Sequence, residues 1–323
     1  MTNPTHNKGV ALITALLVVA LASTAAVTLS THQQLDIRRT ANVISGDQAW
    51  LYAQGAEAWS KAILARDLED NDTDNLQDIW AQKLPPLDLP GGQMNGYIED
   101  MQGRFNINNL VDKNTVDPQA IALFERLLEL LELPKELAQA VVDWIDKDID
   151  ATPPNGAEDN YYLGLEQAYM AGNRDMVSVS ELRLVKGFEQ DTYLRIAPFL
   201  SALPLHSAIN INTAPAMVLA SLSPKISLSL AEQLVEQRQD KPYAKIEDFT
   251  DHASLKDIKL KPEGLAISSQ YYMLHIDVRL VNARARLDSL ILRGQKGKLQ
   301  TLQRSQRLPG ADSEARAKSK RDT

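Results

Sequence analysis

The stretch Asn7–Ser30, NKGVALITALLVVALASTAAVTLS, decides how the rest of the chain is read. Lys8 is followed by twenty-two residues without a charge, and Val10 to Leu29 is an unbroken run of apolar and small residues. At ~1.5 Å rise per residue, such a run in a helix matches the thickness of a bilayer core. Three readings are open at this point. An ordinary signal peptide has a shorter apolar region of ~7–15 residues and a small-x-small cut site, which Ala20-Leu21-Ala22 can supply. A plain amino-terminal anchor is the second. The third depends on what lies on either side of the run.

Lys8-Gly9 sits immediately before it. After it the chain continues without proline as THQQLDIRRTANVISGDQAWLYAQGAEAWSKAILARDL. Leu35, Val43, Trp50, Ala53, Ala56, Ile63 and Leu64 recur there at roughly helical spacing. One helix from about Val10 to Arg66 accounts for this; two helices with a break near Gly46 are the alternative.

These residues resemble the type IV pilin and type II secretion pseudopilin family. Its members carry a short basic leader ending in Gly, cut by a dedicated prepilin peptidase, and keep the apolar helix. The resemblance implies a leader over 1–9, cut after Gly9, with Val10 as the new first residue. Most members have Glu at the fifth mature position, where it pairs with a neighbouring subunit's terminal amine. Here Thr14 stands in that place, and an uncharged hydroxyl cannot make that ion pair. Lacking the Glu and having about twice the usual pseudopilin length, the chain is similar to the minor pseudopilin K branch (general secretion pathway protein K). That implies a non-enzymatic subunit at the tip of the periplasmic pseudopilus, anchored in the inner membrane by one span. It also implies a periplasmic body and the minor pseudopilins I and J as partners.

Composition is compatible with a sizeable folded body. The 323 residues are 44% hydrophobic and 24% charged, with a net charge of −8. The segment from Gln295 to Thr323 holds eight Lys/Arg against three Asp/Glu, so the preceding body is more acidic still. Such a body repels nucleic-acid phosphates and suits cations or basic partners. No nucleic acid is expected as a partner. The absence of cysteine excludes disulfides, thiol nucleophiles and zinc–thiolate sites.

Downstream of a polar bridge over 69–82, LPPLDLPGGQMNG reads as loop. Tyr97–Met101 and Phe105–Leu110 read as strands about a turn at Gly103. Asp117-Pro118 opens a helix, a second is expected over Pro134–Ile149, and shorter ones over Asn160–Met170, Ser178–Val185 and Asp191–Phe199. YYMLHIDVRLV alternates as a strand, with ARARLDSLILR as its hairpin partner. The expected fold is α+β: a pilin-like long amino-terminal helix packed on a small antiparallel sheet, with a large all-helical domain of helix-hairpin-helix or SAM-like kind inserted. The expected division is leader 1–9, membrane helix 10–30, helix extension 31–68, sheet 69–112 and 265–294, insert 113–264, and a disordered basic tail 295–323.

The densest candidate site is VVDWIDKDIDATPPNGAEDNYY, with six carboxylates between Asp143 and Asp159. Asp146, Asp148 and Asp150 alternate near an expected helix end, and a Pro-Pro-Asn-Gly turn returns Glu158 and Asp159 toward them. Hard cations such as Ca²⁺ take about six to eight oxygen ligands from such loops. It is not an EF-hand, because Ala151 stands at the glycine position and Ala157 at the terminal Glu position. A solvated acidic loop is the plain alternative. The family resemblance favours calcium, held among Asp146, Asp148, Asp150, Glu158 and Asp159.

The segment 209–249 resembles helix-hairpin-helix modules of DNA-binding and DNA-uptake proteins, which gives a rival function. Lys225-Ile226-Ser227 lacks the two glycines that bring backbone amides onto phosphate, so a packing module is the alternative. None of the five histidines lies in a catalytic motif.

Overall fold

The computed structural model describes residues 8–83, 85–294 and 297–306. Helix α1 (Lys8–Asp70) is continuous over 63 residues, a length of about 95 Å. There is no break at Gly46. Residues 10–44 are exposed along their whole length, and mean hydropathy reaches 2.5 in this helix, enough to cross a membrane by length and composition. Thr14, Thr24, Thr28 and Thr31 turn their hydroxyls back onto carbonyls three or four residues earlier. This satisfies the threonine hydroxyls of the segment within the helix itself.

The character of α1 changes at Ala49. Ala49, Ala53, Ala56, Ser60, Leu64 and Asp67 are buried, a stripe at intervals of three and four residues. The alanines allow close approach to a five-stranded antiparallel sheet: β1 (Leu87–Leu89), β2 (Gly92–Asp100), β3 (Tyr271–Leu280), β4 (Arg284–Arg293) and β5 (Leu299–Gln306). The strands lie in chain order. Tyr272, Leu274, Ile276 and Val278 on β3 alternate toward α1 and share its core with Ile98, Leu287 and Ile291. Gly92 and Gly96 on β2 are required by this pairing, because a Cβ there would strike the β3 backbone at 1.9 and 2.7 Å.

Strand β5 corrects the expectation of disorder from Gln295 onward. The segment LQTLQRSQ has little apolar content, so pattern reading misses it. It is held by ladder pairing with β4 and by Thr301 and Arg304 reaching Glu57 on α1. The remainder of the expected tail, 307–323, and leader residues 1–7 lie outside the described residues.

The insert between β2 and β3 has its own core, built around Phe105, Ile107, Phe124, Leu127, Val141, Tyr162, Leu219 and Phe249. Its helices are α2 (Pro118–Leu130), α3 (Leu137–Ile145), α4 (Asp159–Tyr162), α5 (Gln190–Ile196), α6 (Ala216–Ser221), α7 (Leu228–Asp240) and α8 (Ile246–Thr250). Here too the expectation changes. Phe105–Leu110 does not join the main sheet; only Phe105–Asn106 is extended, pairing in parallel with Leu200–Ser201. Asn106 accepts from Leu203 N, and Asn108 donates to the carbonyls of Met176 and Leu203. Side-chain amides thus replace a ladder, and the border of the insert lies near Gly103 instead of residue 112. The helix expected over Asn160–Met170 is the single turn α4, Ser178–Val185 is a 3₁₀ turn with a capping box from Ser178 and Glu181, and α3 stops short of Ile149.

A buried polar seam joins insert to sheet. Asn210 donates to Asp74 O, Asp100 Oδ2 and Ser269 Oγ at 2.9–3.0 Å, and Thr213 donates to the same Asp100 carboxylate at 2.6 Å.

Candidate metal centre

Helix α3 reads LAQAVVDWI and buries almost every side chain. Asp143, fully buried in its last turn, accepts from Thr152 N at 3.0 Å and so folds the following loop back over the helix end. Gly156 completes that turn. A Cβ there would lie 2.1 Å from Asp143 Oδ2 and 2.4 Å from Thr152 N, so only glycine fits. Lys186 donates from Nζ to the carbonyls of Asn155 and Gly156, each at 3.3 Å, and rests over the Tyr161 ring.

This loop gathers three of the five expected ligands. Oxygens of Asp146, Asp148 and Glu158 lie within 4.8 Å of one another. Asp150 stays outside the trio, its amide donating to Asp148 Oδ1 at 2.9 Å. Asp159 is also outside; its Oδ1 accepts from Ala171 N at 2.8 Å, tying the loop to the 170–174 segment.

Asp146 is 7% exposed and Glu158 3%. Asp146 Oδ1 and both oxygens of Glu158 have no hydrogen-bond donor. Burial, followed by repulsion from Asp143, Asp146 and Asp148, pushes Glu158 up to about 7. Burial and the charges of Asp148 and Asp143 push Asp146 up to about 6. Buried carboxylate oxygens without donors carry a desolvation cost that a hard divalent cation relieves. The donor set is all oxygen, which suits Ca²⁺ or Mg²⁺ over softer metals.

An aromatic wall backs the loop. Trp144, Tyr162 and Tyr169 pack ring to ring, with Trp144–Tyr162 and Tyr162–Tyr169 centroids 5.2 and 5.3 Å apart. Asn173, held at a φ of 44°, presents a buried Oδ1 without a partner. Sequence reading missed Asp143, Gly156 and Lys186 as organisers. Asp143 carried a signal: a lone carboxylate at a core position of the apolar run AVVDWI.

A second carboxylate group, Asp67, Asp74 and Asp78, is also convergent but is already compensated. Arg293 forms ion pairs with Asp67 and Asp74, while Tyr272 OH and Ser269 N donate to Asp74. In the 209–249 unit, Ile226 is buried and Ser227 caps α7 by accepting from Leu230 N. Asn212 exchanges two hydrogen bonds with the Tyr243 backbone.

The apolar residues of α1 beyond the membrane-length run divide in two. Ala53, Ala56 and Leu64 are turned inward, whereas Leu35, Ile37, Val43, Ile44 and Leu51 are exposed. Half-exposed Trp59 continues this surface into an apolar groove with Ile79, Leu87 and Tyr97.

Comparison with known proteins bears on the whole chain. Two family models described as type II secretion system (T2SS), protein K match residues 103–205 and 209–268. The chain is 39% identical to type II secretion system protein K of Pseudomonas aeruginosa over 307 residues, 92% of each chain. It is 33% identical to the Aeromonas hydrophila protein of that name, over 92% of this chain and 96% of the relative. Among solved structures it is similar to a chain in the crystal structure of the GspK-GspI-GspJ complex of enterotoxigenic Escherichia coli. That match has a TM-score of 0.68 and 26% identity, and covers 81% of this chain and 96% of that one.

Proposed function

Because the chain belongs to the type II secretion system protein K family, and is thereby a minor pseudopilin, we propose that it caps the periplasmic pseudopilus from the inner membrane, seated on the minor pseudopilins I and J. The observation that carries this is α1 itself. One helix is exposed and apolar over its first half and packed on the sheet over its second. The first half suits a membrane or a bundle of like helices.

The body supports a terminal position. Thr14 spends its hydroxyl on the carbonyls of Val10 and Ala11, at 3.1 and 3.0 Å, and offers no charge to a neighbour's amine. The insert, spanning most of the chain between β2 and β3, adds bulk that subunits stacked on every side cannot accommodate. The exposed face from Leu35 to Trp59 is the surface we assign to I and J; the solved E. coli complex is the precedent for that assembly. A structural role without catalysis accords with the family.

The test is the intact mass and amino-terminal residue of protein from cells with prepilin peptidase. A start at Val10 supports the reading; a start near Ser23, or an uncut chain, refutes it. For the partners, Trp59→Glu and Leu51→Glu are expected to abolish co-purification with I and J while leaving the melting temperature unchanged. An intact complex in both variants counts against the assigned face.

The centre at Asp146, Asp148 and Glu158 is read as a calcium site that fixes the loop over 146–159. Calcium binding there would supply charge compensation, not chemistry. Unchanged melting between chelator and millimolar Ca²⁺ would refute it.

A further inference from the structure

The unit 209–249 contains a second unfinished site, of opposite polarity. Arg238, in the last turn of α7, is 4% exposed. Its Nη1 donates to the Ile211 carbonyl, but its Nε has no acceptor. Among the described residues no carboxylate lies within ion-pair distance of it. Burial lowers it only to about 10, so it is a buried cation at neutral pH. Tyr243 is 8% exposed. Its backbone is fixed by Asn212 and its ring packs on Phe249 at 5.2 Å, yet its hydroxyl also has no partner.

Both residues line one pocket of about 590 Å³. Each buried donor left unmet costs ~1–3 kcal/mol. The remaining wall is mixed: Lys241 adds a cation, while exposed Glu247 and Asp251 sit beside it. Asp248 is not free to fill the gap, because its Oδ2 accepts from Lys245 N at 3.0 Å.

We propose that this pocket binds a single carboxylate, received by Arg238 and Tyr243, from a ligand that carries a cation next to that carboxylate. The neighbouring cation answers Glu247 and Asp251, which repel a polyanion such as a nucleic-acid backbone. Two sources have this chemistry: an acidic residue beside Lys or Arg on a partner polypeptide, and a free amino acid.

The full chain in detergent micelles, with arginine labelled in ¹⁵N, reports on the site through the Arg238 Nε signal, identified by its loss in Arg238→Lys. It is titrated with N-acetyl-Asp-Lys-amide, glycine or inorganic phosphate. Saturable shifts are expected at millimolar peptide, and roughly tenfold weaker binding in Tyr243→Phe, which removes one hydrogen bond to a charged group. Tyr243→Phe keeps the packing on Phe249, so its result stands even if Arg238→Lys unfolds. Tighter binding of the peptide assigns the polypeptide source, and tighter binding of glycine the free amino acid. A linear, unsaturable response to both, an unchanged affinity in Tyr243→Phe, or tighter binding of phosphate each overturns the proposal.

Discussion

Arg304 on the last strand forks onto Glu57 of the long helix, Nε 2.7 Å from one carboxylate oxygen and Nη2 2.9 Å from the other. Thr301 and Ser289 donate to the same carboxylate at 2.7 and 2.9 Å, and Lys61 pairs with it at 2.9 Å. Glu57 thus ties the helix to strands β4 and β5 together. Although burial opposes ionisation, these donors hold its carboxyl well below the usual range.

Glu57→Gln is expected to cost about 1–3 kcal/mol, since it removes a charge-assisted acceptor from four donors. Arg304→Ala is expected to cost about 1 kcal/mol or less, because the guanidinium is largely solvated. The depressed carboxyl sets the sign with pH. Its contribution is complete above the unfolded value near 4.5 and is lost as pH falls toward the folded one. Thermal unfolding between pH 3 and 7 should show a steeper acid loss in the parent than in Glu57→Gln.

Arg293→Met should be far more damaging. It strands Asp67 and Asp74 in the seam between helix, sheet and insert, at a cost of roughly 3–5 kcal/mol. Asp67 already stands at about 7, raised first by burial and then by Asp78 and Asp74. Protonation relieves the stranded charge, so the gap in melting temperature between variant and parent should narrow from pH 8 to pH 5. A constant gap would show that the loss is one of packing.

The proposed calcium site predicts a pH slope that calcium removes. Glu158 and Asp146 rise to about 7 and 6 from ordinary values of 4.5 and 3.8. The folded state therefore holds protons that the unfolded state has released, and metal-free stability should fall as pH climbs from about 4 to 7. Millimolar Ca²⁺ should restore it at pH 7. Glu158→Gln should flatten the slope and lose the calcium response, as read by melting scans with and without chelator.

His275 gives a prediction on the outer face of the sheet. Its Nδ1 lies 2.6 Å from Asp288 and its Nε2 3.5 Å from Glu99, and its ring lies tilted against Tyr97 with centroids 4.6 Å apart. Burial lowers its pKa, but hydrogen bonds to the two carboxylates outweigh that and raise it. Its stabilisation is present below the unfolded value near 6.5 and lost as pH rises through the folded one. Ring-proton titration by NMR should place His275 above that value, and Asp288→Asn should lower it.

The sequence carried the large elements because each has a strong period. Tyr272, Leu274, Ile276 and Val278 alternate, and the run from Val10 is long and apolar enough to cross a membrane. Phe105–Leu110 reads as a strand after the turn at Gly103, but Asn106 and Asn108 are buried amides that bond to Leu203, 97 and 95 positions away. Strand β5 left no apolar trace, since its anchor is a charge on a distant helix. In the metal loop, composition announced carboxylates but not their directions. Asp159 is drawn off by the Ala171 amide and Asp150 contributes only its backbone amide, to Asp148, whereas both oxygens of Glu158 stay without a donor.

The placement of the insert also orders events in time. Asp100 on β2 and its register partner Tyr272 on β3 lie 172 positions apart, and so distant a pairing pays its closure entropy before any contact rewards it. A chain emerging amino end first presents α1 and the β1–β2 hairpin while their partner strands are still unmade. The insert has a core of its own, and Phe105 with Leu200 and Ile209 with Leu265 pin its ends near one another. Once condensed it acts as a clasp, turning a very long loop into a short one. What looks like a burden on a small sheet is thus the route by which that sheet closes.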